Sequence, residues 1–234
     1  MKNKNRDNCI ILFITPVEDE KIPKPMEQAF GVEKSKQILE SLIRNAYKVV
    51  KEYEDAMPII SYERTSAHPD LTWLDPDDPG LLEFRGGPTE ERMRNTFKMT
   101  FFTGAKKVVI IDPVSPCIKS AWIRDAFAHI NDRTVALGSN TDGSFYLLGF
   151  TQNNIKILDT PGFVGERSAD ILDDRLQKAK LDIFNTPPAY TIKTEEDIKR
   201  WNVKPNEPGL EEISKFCEEK KEGEAKAEKQ AKAV

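Results

Sequence analysis

Short, uninterrupted apolar runs, separated by segments of helical periodicity, constrain this chain more than any other feature. CIILFI (9–14) has no polar alternation, so both faces of a strand there must be covered, as in a parallel sheet. Ile38, Leu39, Leu42, Ile43, Ala46, Tyr47, Val50 and Tyr53 then recur on one helical face. MPIISYE (57–63), KVVIID (107–112), TVALGS (134–139) and SFYLLGF (144–150) read as further strands. Between them lie a helix starting at Thr89 as N-cap, with Glu90 and Glu91 in its first turn and a Met93/Phe97/Phe101 stripe, and a helix after Ser120 that turns Trp122, Ile123, Phe127 and Ile130 inward. Further helices are expected over 167–181 and 194–201, the last with a capping box of Thr194 and Asp197. Strand and helix alternate, so the expected class is α/β, with a mainly parallel central sheet and helices on both faces. The proline-rich stretches TPVEDEKIPKP (15–25) and 64–88 read as loops, the first as one that cannot be helical.

Composition narrows the functions. At 38% hydrophobic and 32% charged, the 234 residues can bury a sizeable core under a well-solvated surface. The net charge is −4 and no basic stripe is present, which argues against a nucleic-acid partner. Three cysteines without a CxxC pair give neither a disulfide framework nor a zinc knuckle and fit a reducing compartment. No apolar run reaches the ~20 residues of a membrane span, and the polar N-terminus is not a secretion signal, so a cytoplasmic location is expected. The expected organisation is one domain over 1–205 and a Glu/Lys/Ala-rich low-complexity tail over 206–234. Oligomeric state has no signature in the sequence.

In open α/β sheets ligands gather outside the carboxyl ends of the strands. Three loops stand there. The first, 15–30, carries Lys21 and Lys24 beside Glu18, Asp19 and Glu20, and reads equally as a phosphate-contacting or a solvated loop. The second begins at Asp112, where KVVII runs into Asp-Pro-Val-Ser-Pro. The third holds Asp142-Gly143, which on local evidence is a plain turn. LDTPGF (158–163) imitates a GTPase switch motif, but the GxxxxGK[ST] phosphate loop such an enzyme needs is missing from the sequence, so it reads as a turn.

Several stretches together resemble one family. They are the first strand leading into Pro16-Val17, Gly87-Pro88-Thr89-Glu90-Glu91-Arg92-Met93, Val108 to Pro116, Asn140 to Gly149 (NTDGSFYLLG), and Thr194-Glu195-Glu196-Asp197-Ile198. They are similar to the glycosyltransferase-like proteins, often described as a domain of unknown function, in the nucleotide-diphospho-sugar transferase superfamily. The resemblance implies a Rossmann-like GT-A fold and glycosyl or nucleotidyl transfer from a nucleotide or nucleotide-sugar. It implies catalytic roles for Asp112 and Asp142, and substrate contacts from Lys21, Lys24, Arg92, Ser115, Gly143 and Ser144.

The resemblance also implies Mg or Mn, with Asp112 as the metal-ligating candidate. Yet the positions that carry metal-side acids in the family are here Val114, Thr191 and Lys193, and Lys21-Ile22-Pro23-Lys24-Pro25-Met26 replaces a Lys-Thr-Arg signature. Valine offers a hard cation no oxygen, and Lys193 brings a positive charge to that side. Lys193 could act as a fixed cation in place of part of the metal. Two readings follow: a transferase with an altered metal site, or a catalytically inactive descendant serving as a binding or scaffold module.

Overall fold

The computed structural model describes residues 6–18, 21–65, 70–75, 81–84, 87–165 and 167–201. Asp19, Glu20 and the charged tail over 206–234 lie outside them. Among the described residues seven strands form one sheet: β1 (Asn8–Ile14), β2 (Met57–Glu63), β3 (Leu81–Phe84), β4 (Lys107–Ile111), β5 (Thr134–Ser139), β6 (Phe145–Thr151) and β7 (Asp182–Asn185), in the order β3-β2-β1-β4-β6-β5-β7. All neighbours are parallel except β6, which is antiparallel to β4 and to β5. The helices are α1 (Lys24–Phe30), α2 (Val32–Glu52), α3 (Thr89–Phe102), α4 (Ser120–His129), α5 (Ser168–Lys178) and α6 (Glu195–Trp201).

The all-apolar strands sit where both faces are covered. Cys9 through Ile14 and Val108 through Ile111 are at most 2% exposed. Their side chains alternate between two cores. One gathers Ile10, Leu12, Val109 and Ile111 with α2 and α4; the other gathers Ile11, Phe13, Val108 and Ile110 with α3 and α5. A smaller cluster of Ile22, Met26, Ile38, Leu42, Ile192 and Ile198 ties α1 and α2 to the chain around α6.

Three sequence expectations are corrected, and one strand is present where none was expected. The stretch 64–88 is not all loop, because Leu81–Phe84 pairs in parallel with Ile60–Glu63 at the sheet edge. The loop after β1 ends at Pro23 and α1 begins at Lys24; Pro25 is tolerated because the first helical turn needs no intrahelical N–H partner. Thr89 and Ser120 are the first helical residues rather than N-caps; Pro88 and Lys119 hold those positions, without side-chain caps. Strand β7 had no sequence expectation: four residues carry too little pattern to separate them from a loop. The Thr194/Asp197 capping box is present, with Asp197 Oδ2 accepting from Thr194 N at 2.9 Å and Asp197 N donating to Thr194 Oγ1 at 3.3 Å.

The chain runs outward from β1 through β2 to β3, then crosses back to β4 on the other side of β1. The carboxyl ends of β1 and β4 therefore flank a topological switch point, where a crevice opens because the two connections leave in opposite directions.

Candidate functional site

A cavity of about 280 Å³ opens at this switch point, and a smaller one of about 150 Å³ shares Thr15, Pro23, Asp112 and Val114 with it. The larger volume lies near the lower end of small-molecule pockets, ~300–1,000 Å³. Its lining combines apolar side chains, among them Phe13, Met26, Leu42 and Met93, with the polar groups of Asp112, Asp142, Ser144, Thr191 and Lys193.

Asp112 is the first residue beyond β4, and its N–H donates to Tyr146 O at 2.9 Å, continuing the ladder to β6. Because β6 is antiparallel, its start lies at the end of β4, so the 140–144 turn comes to the same rim. Asp142 Oδ1 accepts from Ser144 N at 3.0 Å and from Ser144 Oγ at 2.6 Å, while Asn140 Nδ2 donates to Ser144 Oγ at 3.0 Å. Gly143 takes φ +82°, and a Cβ there would lie 3.3 Å from the Arg167 backbone, so glycine suits this corner for two reasons. The Asp-Gly pair is thus a turn and also carries a cleft residue.

The strand-like stretch after β7 completes the site. Thr141 N donates to Ala189 O at 2.9 Å and Ala189 N to Ser139 O at 3.0 Å, which lays 189–193 alongside the turn. Thr191 Oγ1 then donates to Asp142 Oδ2 at 2.9 Å, and Lys193 Nζ lies 2.5 Å from the same oxygen.

The two acids have opposite electrostatics. Burial pushes the Asp112 carboxyl up to about 7, against the Val114 N–H bond and the Arg92 charge; Asp142 nearby adds to the rise. For Asp142 burial also works against the charge, but the bonds from Lys193, Ser144 and Thr191 outweigh it and hold the group at about 2. The consequences for stability follow by linkage. The contribution of Asp142 is complete above the ordinary carboxylate range and is lost as pH falls towards about 2. Asp112 does the reverse: between its ordinary 3.8 and about 7 the folded chain holds a proton that the unfolded chain has released, so stability falls as pH rises through that window. Asp112→Asn removes this slope. In urea unfolding it is expected to benefit stability by roughly 1–2 kcal/mol more at pH 8 than at pH 5, after allowance for the partial exposure of the group.

The other sequence candidates are distributed unevenly. Lys21 lines the smaller cavity and is ion-paired with Glu63 at 3.3 Å and Glu18 at 3.8 Å. Ser144 lines the larger one. Lys24 is exposed at the start of α1 and is not among the lining residues. Arg92 is 4% exposed and points into the fold: Nη1 donates to Glu63 Oε2 at 2.8 Å, Nη2 to Ile14 O at 3.4 Å, and the guanidinium lies 4.4 Å from the Phe13 ring centroid. Ser115 is fully buried and accepts from Cys117 N at 3.4 Å. Gly143 shapes the turn without lining the cavities.

Sequence reasoning missed Ser168, whose Oγ accepts from Phe145 N at 3.3 Å, and the part of Glu90 in the site. Glu90 accepts from Gly162 N at 2.8 Å and Val164 N at 3.1 Å, and Val164 lines the cleft. Glu90 stands in the Gly87–Met93 stretch, but its own signal was an acid in the first turn of a helix, which the helix dipole alone explains.

The described side chains do not supply a divalent cation with an all-protein donor set. Among the described residues no group of three or more His, Cys, Asp or Glu side chains converges for one. The Asp142 oxygens are already engaged, one of them by an ammonium, and Val114 supplies no oxygen donor from its side chain.

Comparison with known proteins agrees with this architecture. Residues 47–161 match the model of a family described as an uncharacterized protein conserved in bacteria (DUF2064). That stretch contains three of the motifs read above: Gly87 to Met93, Val108 to Pro116 and Asn140 to Gly149. No curated protein matches the chain. Among solved structures, a proposed nucleotide-diphospho-sugar transferase from Desulfovibrio desulfuricans G20 superposes with a TM-score of 0.77 at 18% identity, covering 89% of this chain and 94% of that one. A nucleotidyl transferase from Methanothermobacter thermautotrophicus gives 0.57 at 12% identity, over 83% and 95%. A CMP:2-keto-3-deoxy-manno-octonic acid synthetase complexed with CTP gives 0.53 at 10% identity, over 84% and 97%. These likenesses show the fold alone: an α/β sheet with the arrangement seen in these transferase structures.

Proposed function

We propose that this chain, with its GT-A-like transferase fold, binds a nucleotide-linked donor in the cleft at the switch point and transfers the glycosyl or nucleotidyl group to an acceptor. The observation that carries the reading is Asp112, a carboxyl held at about 7 at the end of the strand that forms one wall of the switch point. A base whose pKa lies near the working pH is present in its active form and still has driving force to take a proton. Asp112 accepts the proton of the acceptor hydroxyl as the new bond to the donor forms. In glycosyl transfer the nucleotide departs with the electron pair of the anomeric C–O bond; in nucleotidyl transfer the pyrophosphate departs with the electron pair of the broken P–O bond. Lys21 in the smaller cavity and Lys193 in the larger offer ammonium groups to phosphate oxygens, and Asp142 orients Lys193. The CTP complex of one structural relative supports a nucleotide as the class of ligand.

Calorimetric titration with a panel of nucleotides and nucleotide-sugars, followed by assay of nucleotide release, tests this. The expected result is binding at around micromolar Kd for one donor. Asp112→Asn is expected to lower turnover by ~10²–10⁴-fold while changing donor affinity little. No binding by any member of the panel would overturn the reading.

One observation favours a second reading, that of a non-catalytic binding module. Among the described lining residues the cations are Lys21 and Lys193, and each is already paired with a carboxylate. That protein would bind a nucleotide without turnover, and Asp112→Asn would change nothing in the assay.

A further inference from the structure

We infer that the ammonium of Lys193 is a tethered cation that excludes divalent metal from this cleft and takes its place beside the ligand. The argument is one of occupied lone pairs. An ionised carboxylate has about four acceptor positions. Asp142 receives Ser144 N and Ser144 Oγ on Oδ1, and Thr191 Oγ1 and Lys193 Nζ on Oδ2. A divalent ion approaching Asp142 would have to displace one of these donors, and an ammonium next to it would repel it. Asp112, the other acid of the cavity, sits beside Val114, whose side chain adds no oxygen.

Nor is the ammonium loosely placed. Ala189 is held to the 139–141 turn by two backbone bonds, Ile192 is buried in the small cluster with Met26 and Leu42, and Lys193 N donates to Asp197 Oδ2 at 3.1 Å. Lys193 is about one-third exposed at 30% and lines the cavity, so the two ammonium N–H bonds not used on Asp142 are available to an anionic ligand group. A fixed charge of this kind needs no reorganisation when the ligand arrives, which is how a cation assists at a phosphate. The ligand class rests on the proposed function; the exclusion of metal does not.

The test therefore uses Mn²⁺ alone, titrated into the full chain by calorimetry and followed by electron paramagnetic resonance. Wild-type protein is expected to show no stoichiometric site up to about 1 mM. Lys193→Asp is expected to bind one Mn²⁺ per chain with a Kd of about 0.1 mM or below, because a third carboxylate replaces the ammonium. Adding Asp142→Asn to that variant should abolish the gain. Stoichiometric Mn²⁺ binding by wild type that is lost in Asp142→Asn would overturn the inference. So would a folded Lys193→Asp, by circular dichroism, that gains no affinity. If that variant fails to fold, the wild-type titration against Asp142→Asn still decides the matter. No nucleotide enters either arm, so a failed donor panel and a failed metal exclusion are separate results.

Discussion

Arg92→Ala is expected to lower the unfolding free energy by about 3–5 kcal/mol, the cost of leaving one half of a buried ion pair behind. Arg92 is 4% exposed, and its partner Glu63 is 18% exposed at the carboxyl end of β2. Removing the guanidinium deletes the 2.8 Å bond to Glu63, the bond to Ile14 O and the contact over the Phe13 ring together. Lys21 remains as a neighbour of Glu63, but at 3.3 Å from a more exposed position, so it compensates only in part. The same substitution has an electrostatic signature. Arg92 is one of the groups that restrain the rise of Asp112, so the Asp112 carboxyl should titrate above about 7 in the variant, as read by carbon NMR. A change in stability within ~0.5 kcal/mol would mark Arg92 as an ordinary surface cation and would contradict its burial. Arg92→Met with Glu63→Leu should cost less than Arg92→Ala, since no uncompensated buried charge remains.

Gly138→Ala should destabilise the protein by about 3 kcal/mol through overpacking. Gly138 lies in β5 with no unusual backbone angle; what it lacks is space. An added Cβ would stand 2.6 Å from Thr186 Oγ1, 2.6 Å from Tyr146 Cζ and 2.9 Å from Leu147 Cβ. None of the three can move cheaply. Tyr146 is fully buried and its hydroxyl bonds both Thr186 Oγ1 and Pro187 O. Pushing Thr186 outward shifts the start of the segment that carries Thr191 and Lys193 to Asp142. The variant should therefore lose melting temperature by roughly 6–12 °C for a chain of this size. An unchanged melting temperature would contradict the packing of β5, β6 and β7 described above.

How much of this was legible depends on where the governing forces act. The strands around β1 and β4 were legible because complete burial on both faces demands an unbroken apolar run, and CIILFI and KVVII are such runs. The α2 stripe was legible because a long helix with one buried face must repeat its apolar residues. The two edge strands escaped notice. Leu81–Phe84 and Asp182–Asn185 are four residues each, and they are strands because β2 and β5 offer unpaired backbone beside them. α1 escaped because proline forbids a helix interior but not a helix start.

The site divides along the same line. That Asp112 ends a buried strand, and that Asp142 sits in a turn between two strands, is written in consecutive residues. By itself, then, the sequence determined the alternation of elements and the fold class, because these rest on local periodicity and burial. Only the tertiary structure decided that Arg92 turns inward, and that Lys193 crosses 51 positions to neutralise Asp142. An ion pair has no period and no propensity; it exists where the path of the backbone brings two charges together out of bulk water.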